Sequence, residues 1–278
     1  MRRAIAVPVW MYHDIADDPS AVPADERPYV VSSKSFRDQL RLLAGLGIEA
    51  TRLDAALDTG DGGLPSSRRC VLTFDDGHES NCTRALASLV EADCKATFFV
   101  TVGWIGRARY MSWDQIRTLA AAGMEIGSHS MTHRPPSTLT PAELLAEMSE
   151  SKQRLEDRLG LPVLTASSPT GFYNPGMIAA ARAAGYKALC YGRIALWRDR
   201  GDAFRIPRLP IKRWTTPAEI RALALGRRSL IARLRLEQMA RNGLKTALGV
   251  EGYLRLRRAL LGLSTAGRGD PPASGKDA

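Results

Sequence analysis

The chain has no run of about 18 apolar residues, the length a membrane-spanning helix needs. It has no CxxC pair. Its four cysteines, Cys70, Cys82, Cys94 and Cys190, are scattered and read as free, mostly buried thiols rather than a metal knuckle or a redox motif. It shows no leader pattern. Met1-Arg2-Arg3 opens onto a short apolar stretch that Tyr12, His13 and Asp14 interrupt, and no small-residue cleavage site follows. Residues 4–12 are therefore expected to be a strand. The expected location is cytoplasmic, with peripheral contact to the inner membrane as an option. There is no internal repeat. The first 199 residues also lack a charge excess, with 22 basic and 23 acidic side chains. The last 79 carry 17 basic and 6 acidic, so the whole formal charge of +10 belongs to them. A nucleic-acid-binding protein would carry its positive charge through the main domain, and this chain does not.

What is present is an alternation. Short, nearly continuous apolar runs occur at Ile5–Met11, Cys70–Phe74, Ala96–Val100, Met124–Gly127, Val163–Ala166 and Ala188–Tyr191. Runs of this kind suggest parallel strands covered on both faces. Helix starts lie between them. Ser112-Trp113-Asp114-Gln115 and Thr140-Pro141-Ala142-Glu143 each set a capping hydroxyl three residues before Gln or Glu. Leu144, Leu145, Met148 and Leu155 supply the apolar face of the second helix, and Gly160 its end. Phe36, Leu40, Leu43 and Leu46 form an earlier face, ending near Gly47. The expected class is α/β with a parallel sheet, open or closed into a barrel. After Ile211 the composition changes. Thr216-Pro217-Ala218-Glu219 repeats the start signature, and a Leu/Ala/Arg-rich stretch follows, cut by glycines.

Polar residues cluster where the apolar runs stop. Cys70–Phe74 ends in Asp75-Asp76-Gly77. Adjacent carboxylates at a strand end are costly unless they are paired or bind a cation. Neighbouring residues point different ways, so one aspartate can face a metal and the other a substrate. A solvated Asp-Asp-Gly turn is the plainer alternative. Two of the four histidines stand in an HxxxH spacing, His129 and His133. On a helical turn or in a loop, both can reach one ion. Two histidines and one carboxylate leave coordination positions for water and substrate, as hydrolytic metal sites require.

Thr73-Phe74-Asp75-Asp76-Gly77 and Ser128-His129-Ser130-Met131-Thr132-His133 resemble the first two motifs of the polysaccharide deacetylase family, the NodB-homology enzymes of carbohydrate esterase family 4. Val7–Ile15, with its Met-Tyr-His, resembles the opening strand of the branch that deacetylates exopolysaccharide poly-N-acetylglucosamine. Ala96–Val100, Gly123–His129, Ala183–Tyr186 and Ile206–Pro210 are similar to its other segments, so the resemblance covers about residues 5–215. It implies a distorted (β/α)7-type barrel over 1–215; composition alone adds a basic amphipathic helical extension over 216–264 and, with nothing to bury, a disordered tail over 265–278. The resemblance implies metal-dependent removal of an N-acetyl group from an amino sugar of a polysaccharide or lipid-linked glycan. Asp76, His129 and His133 would bind a divalent metal, zinc first, with nickel, cobalt, iron or manganese as alternatives. Asp75 would be the general base. Family members often place the general acid, a histidine, late in the chain. No histidine follows His133 here, and the resemblance to the Met-Tyr-His branch assigns that role to His13. His78 is expected at the edge of the site or in solvent.

The third family motif departs from the pattern. Where aromatic residues flank proline, this chain has Ser168-Pro169-Thr170-Gly171. Thr170 would still offer a backbone N–H to an oxyanion. The arginine that orients the base is missing from its usual place, and Arg208 is the candidate to replace it. The altered motif keeps two alternatives open: a non-catalytic relative that binds glycan or membrane, and an amide hydrolase acting on a non-sugar substrate. The arginines of 216–264 fit either a helix packed on the barrel or contact with an anionic membrane. Nucleic acid is not an expected partner, because only one aromatic residue, Tyr253, interleaves with them.

Overall fold

A computed structural model describes residues 5–57, 68–171, 173–199, 201–240 and 242–243. The apolar runs form strands, and the capped segments between them form helices. The strands of the main sheet are β1 (Val9–Tyr12), β2 (Ile48–Thr51), β3 (Arg68–Phe74), β4 (Thr97–Val100), β5 (Glu125–Ser128), β6 (Thr165–Ser167), β7 (Ala188–Tyr191), β8 (Ile206–Pro207) and β9 (Leu209–Pro210). The helices are α1 (Ser33–Gly45), α2 (Leu53–Leu57), α3 (Leu86–Glu91), α4 (Trp113–Ala121), α5 (Pro141–Leu159), α6 (Pro175–Ala183) and α7 (Pro217–Ala224). The start signals act as read. Ser112, Thr140 and Thr216 each make a full capping box with Gln115, Glu143 and Glu219. Gly160 ends α5 at φ 67°, a left-handed position that glycine takes without penalty.

The sheet order is β8-β7-β6-β5-β4-β3-β1-β9, with β2 also paired to β3, and every pairing is parallel. Cys70 to Phe74 of β3 are all buried, as a strand covered on both faces demands. The first half of β3 pairs with β2 and the second half with β4, while β1 runs along the other edge. Closure comes from one short segment. Ile206–Pro207 pairs with β7, Leu209–Pro210 pairs with β1, and Arg208 is the joint between them. The result is a nearly closed parallel barrel.

Two strand expectations need correction. Ile5–Met11 is not one strand. Ala6–Val7 pairs antiparallel with Trp197–Arg198 in a separate ribbon, and only Val9–Tyr12 enters the barrel. Pro8 lies between them. It has no N–H to give a ladder, and its carbonyl accepts from Val71 N at 2.9 Å. The sequence reading also missed β2, whose Ile-Glu-Ala-Thr is too short and mixed to show a run, and it did not read 206–210 as barrel strand.

The bottom of the barrel is a polar knot. Buried Glu125, at the start of β5, accepts from Thr97 Oγ1 at 2.6 Å, from Thr165 Oγ1, and from Asp54 N at 3.0 Å. Thr97 Oγ1 in turn accepts from Leu53 N at 2.8 Å. Burial and the nearby Asp54 charge push the Glu125 pKa up. Outside the sheet, Tyr12 stacks on Phe74 at 5.1 Å and Phe74 on Phe98 at 4.7 Å, with Phe36 of α1 edge-on to Tyr12. By its contacts the chain divides into a unit Met1–Ala232 and a unit from Arg233 onward. α7, expected to open the extension at 216, thus lies in the first unit and buries Ile220, Leu223 and Ala224. Residues 228–240 are helical. The rest of the expected extension beyond residue 243, and the expected tail over 265–278, lie outside the described residues.

Packing inside the barrel leaves no room at Gly127. A Cβ there would stand 2.5 Å from Phe99 Cδ1 and 2.9 Å from Thr165 O. Gly127→Ala is expected to destabilise the protein by about 1–3 kcal/mol, the usual cost of overpacking. Urea unfolding should show a lower midpoint with an unchanged slope.

Candidate active site

The C-terminal ends of the barrel strands carry the polar residues, where parallel barrels build their sites. Asp75 follows β3 directly, and its N–H donates to Tyr12 O at 3.0 Å. Its carboxylate is gripped at both oxygens by Arg208. Nη1 meets Oδ1 at 2.6 Å and Nη2 meets Oδ2 at 2.6 Å. Both side chains are buried, at 1% and 3% exposure. Arg208 also donates to Ser167 Oγ at 2.8 Å and lies 5.7 Å over the Phe99 ring. Burial alone would raise the Asp75 pKa, but the Arg208 guanidinium outweighs it and holds the carboxyl below its usual value. The bidentate fork also fixes the carboxylate plane.

Asp76 turns away from that pair. It has φ 73°, and Gly77 follows at φ 83°. Its Oδ1 lies 3.3 Å from His129 Nε2 and 3.3 Å from His133 Nε2. Its Oδ2 lies 3.6 Å from His78 Nε2. Of the two expected places for His78, the edge of the site or solvent, the second is wrong, since the residue is buried. The signal that could have found it is its place one residue beyond Asp-Asp-Gly.

His129 and His133 lie in a loop after β5, so the HxxxH spacing is not helical here. Ser130 and His133 have φ of 65° and 62°, which costs conformational energy in a non-glycine residue. The loop is held by many bonds. Val102 N and Gly103 N donate to Ser130 O and Met131 O at 3.2 and 2.7 Å. Glu147 of α5 accepts from Met131 N and Thr132 N, both at 2.8 Å, and from the Thr132 hydroxyl. Glu147 was missed in the sequence. Its signal is a carboxylate on the buried face of an amphipathic helix.

Ligand atoms of Asp76, His129 and His133 all lie within 4.8 Å of one another. His129 Nδ1 contacts Ser167 O at 3.0 Å, which puts its proton there and leaves Nε2 as a lone-pair donor toward Asp76. Burial disfavours the His129 imidazolium, yet the Asp75 and Asp76 carboxylates raise its pKa. Burial likewise pushes Asp76 up, but the surrounding histidines pull it well below the usual carboxylate range. Two imidazole nitrogens and one carboxylate oxygen are a donor set that fits a divalent metal with open positions.

Two other expected residues, His13 and Thr170, lie in the segments that follow β1 and β6. His13 follows β1, its carbonyl accepts from Asn81 Nδ2 at 2.8 Å, and its ring packs on Tyr29 at 4.7 Å. Its Nδ1 is buried without a hydrogen-bond partner among the described residues. Burial lowers its pKa against the opposing charges of Asp76 and Asp75. Thr170 is exposed in the turn Pro169–Gly171 after β6, at φ 59°. It stands three residues beyond Ser167, which touches both Arg208 and His129.

Removing one partner of a buried ion pair strands the other charge. Arg208→Met should therefore destabilise the protein by about 3–5 kcal/mol. The double variant with Asp75→Asn should recover part of that loss in urea unfolding. Simple additivity of the two single effects would show that the pair is not coupled.

Residues 63–189 match the model of a family described as polysaccharide deacetylase. A Bacillus subtilis (strain 168) protein, YxkH, named provisionally as a polysaccharide deacetylase, is 29% identical over 65% of this chain and 62% of its own length. A chitooligosaccharide deacetylase of Bradyrhizobium sp. (strain ANU 289) is 30% identical over 46% of this chain and 58% of its own. The chain thus spans about three-fifths of the length of these relatives. Among solved structures, the Streptococcus pyogenes deacetylase PplD in complex with acetate superposes with a TM-score of 0.71 at 22% identity, covering 78% of this chain and 97% of that one. That likeness establishes the fold, a (β/α) barrel of the same kind. Family model and relatives agree over this stretch: residues 63–189 carry a polysaccharide deacetylase domain of the NodB-homology type.

Proposed function

We propose that the protein is a metal-dependent hydrolase that removes an N-acetyl group from an amino sugar of a polysaccharide or lipid-linked glycan. The observation that carries this reading is the pairing of two unlike aspartates. Asp75 is locked by Arg208, and Asp76 joins His129 and His133 in one donor cluster. Asp76, His129 and His133 would hold the ion, zinc before nickel, cobalt, iron or manganese by the nitrogen-rich donor set. A divalent ion there would acidify water and polarise an amide carbonyl.

The chain's own residues supply the rest. Asp75, kept ionised, accepts a proton from the attacking water. Arg208 fixes the direction of that carboxylate. The backbone N–H of Thr170 donates to the carbonyl oxygen as negative charge develops on it. His13 gives a proton to the leaving amine as the C–N bond breaks, which releases acetate and a free amino sugar. Burial makes the protonated His13 a stronger acid than an exposed histidine. Thr170 and Ser168, standing where the family pattern has aromatic residues, leave open a non-sugar amide as substrate, or a binding role without catalysis.

The basic C-terminal stretch is proposed as a contact to an anionic membrane surface. Leu236 and Met239 are 66% and 58% exposed, one helical turn apart, and exposed Arg228 and Arg235 lie on the same helix. No described helix is long and apolar enough to cross a membrane.

Three measurements test these readings. Purified protein should release acetate from N-acetylglucosamine oligomers, and a chelator should stop it. A wild-type protein that binds no metal would overturn the hydrolase reading. His13→Gln should lower kcat by about 10²–10⁴ while the bound metal is retained. In sedimentation with vesicles, the full chain should pellet with phosphatidylglycerol and not with phosphatidylcholine, and Leu236→Glu with Met239→Glu should abolish pelleting. Equal binding to both vesicles, or binding to nucleic acid instead, would refute the membrane contact.

A further inference from the structure

Five side chains form a closed circuit through Asp76. His133 Nε2 lies 3.3 Å from Asp76 Oδ1. The His133 ring packs on Trp104 with centroids 4.7 Å apart. Trp104 packs on Tyr110 at 4.8 Å. Tyr110 stacks on His78 at 5.2 Å with planes 21° apart. His78 Nε2 returns to Asp76 at Oδ2, 3.6 Å away. The circuit therefore touches both oxygens of one carboxylate, from opposite ends of one aromatic row.

Backbone bonds fix the segment that supplies the middle of this row. At its start, Val102 N and Gly103 N bond to Ser130 O and Met131 O of the histidine loop. At its end, Met111 N donates to Gly77 O at 3.0 Å, Glu79 N donates to Arg109 O at 2.8 Å, and His78 and Tyr110 form an antiparallel bridge. Within it, Gly106 N donates to Met111 O at 2.9 Å, and Tyr110 N to Arg107 O at 3.0 Å. Residues 102–111 are thus sewn to both loops that carry the candidate ligands. No added side chain fits where Gly103 meets the histidine loop, since a Cβ would stand 2.6 Å from Met131 O.

His133 benefits most from such support. It is the more exposed of the two histidines, at 23% against 3% for His129. His129 has a carbonyl, Ser167 O, to orient its ring. For His133, the ring is restrained on one side by Trp104, tilted 34° from it, and on another by the His129 ring at 5.0 Å. On the other side, buried His78 turns its Nε2 to Asp76 Oδ2 at 3.6 Å, while its Nδ1 has no hydrogen-bond partner among the described residues.

We propose that Trp104 and His78 are positioning residues of the cation site. Trp104 sets the plane of His133, and His78 occupies one oxygen of Asp76, so that the other oxygen is offered with the two imidazoles. Neither touches the reacting atoms. The proposal rests on the reading that Asp76, His129 and His133 hold a divalent ion.

Zinc affinity, measured on the metal-free protein by competition with a chromophoric chelator, tests it without any turnover. Replacing residues that orient metal ligands typically costs about 10–100-fold in affinity. Trp104→Leu, which keeps bulk and loses the flat ring, is expected to weaken zinc binding by that order, and Trp104→Phe to restore it. His78→Ala is expected to weaken it similarly, and His78→Gln, which keeps a donor, to bind within a few-fold of wild type. Circular dichroism and thermal midpoints of the metal-free variants confirm that they are folded. If Trp104→Leu and His78→Ala bind zinc as tightly as wild type while His129→Ala does not bind it, the positioning role is wrong and the metal site stands. If wild type binds no zinc or other divalent ion, the underlying reading fails first. A uniform loss in Trp104→Phe and His78→Gln as well would also overturn the proposal, since it would report packing volume and not ring plane or donor.

Discussion

A guanidinium closed inside a ring of strands has to find a carboxylate there, and Arg208 finds Asp75. The cost of burying either charge alone is several kcal/mol by general estimates, and only the pair makes both tolerable. Much of the molecule follows from that constraint. Arg208 is also the joint of the segment that hydrogen-bonds first to β7 and then to β1. Barrel closure and the orientation of Asp75 are therefore one event. A chain that failed to bring residues 206–210 across the gap would leave a buried aspartate without its partner. Ser167 extends the coupling, since its hydroxyl accepts from Arg208 and its carbonyl orients His129.

The two ends of the barrel solve opposite problems. At the bottom, Glu125 is wrapped by two threonine hydroxyls and a backbone amide, and its raised pKa reflects a site that does not favour charge. At the top, Asp75 and Asp76 both lie below their ordinary pKa because cationic or protonatable groups face them. Strain gathers at the same end. Asp76, Ser130, His133 and Thr170 account for four of the six described non-glycine residues with positive φ. Backbone in that region persists only where surroundings over-determine it. Glu147 and the 102–111 segment are those surroundings for the histidine loop.

The charge of the chain belongs to neither end. Residues 1–199 are close to neutral, so the field at the site comes from the few groups named above and not from the protein as a whole. The arginines concentrate after residue 200. Together with exposed Leu236 and Met239, they underlie the proposed membrane contact and not the proposed chemistry.

The sequence by itself determined the alternation, the caps and the residue types of the site. Apolar runs, Ser/Thr-x-x-Gln/Glu starts and Asp-Asp-Gly beside HxxxH are local patterns, and local backbone preference and burial period are enough to read them. It could not show that β1 begins only after Pro8, nor that Ile48–Thr51 is a strand, because both depend on which neighbour offers a ladder. Arg208 was legible as a candidate, but no pattern in Ile206–Pro210 shows that its halves pair with two strands, Ala188–Tyr191 and Val9–Tyr12, from far apart in the chain. Glu147 and Trp104 carry no motif at all, and for His78 the sequence offers only its place beside Asp-Asp-Gly. The contacts of Glu147 with the histidine loop, of Trp104 with His133 and of His78 with Tyr110 join separate segments, which only tertiary packing decides. The sequence thus specified which groups are present, and the closed barrel decided which carboxylate meets the arginine and which meets the histidines.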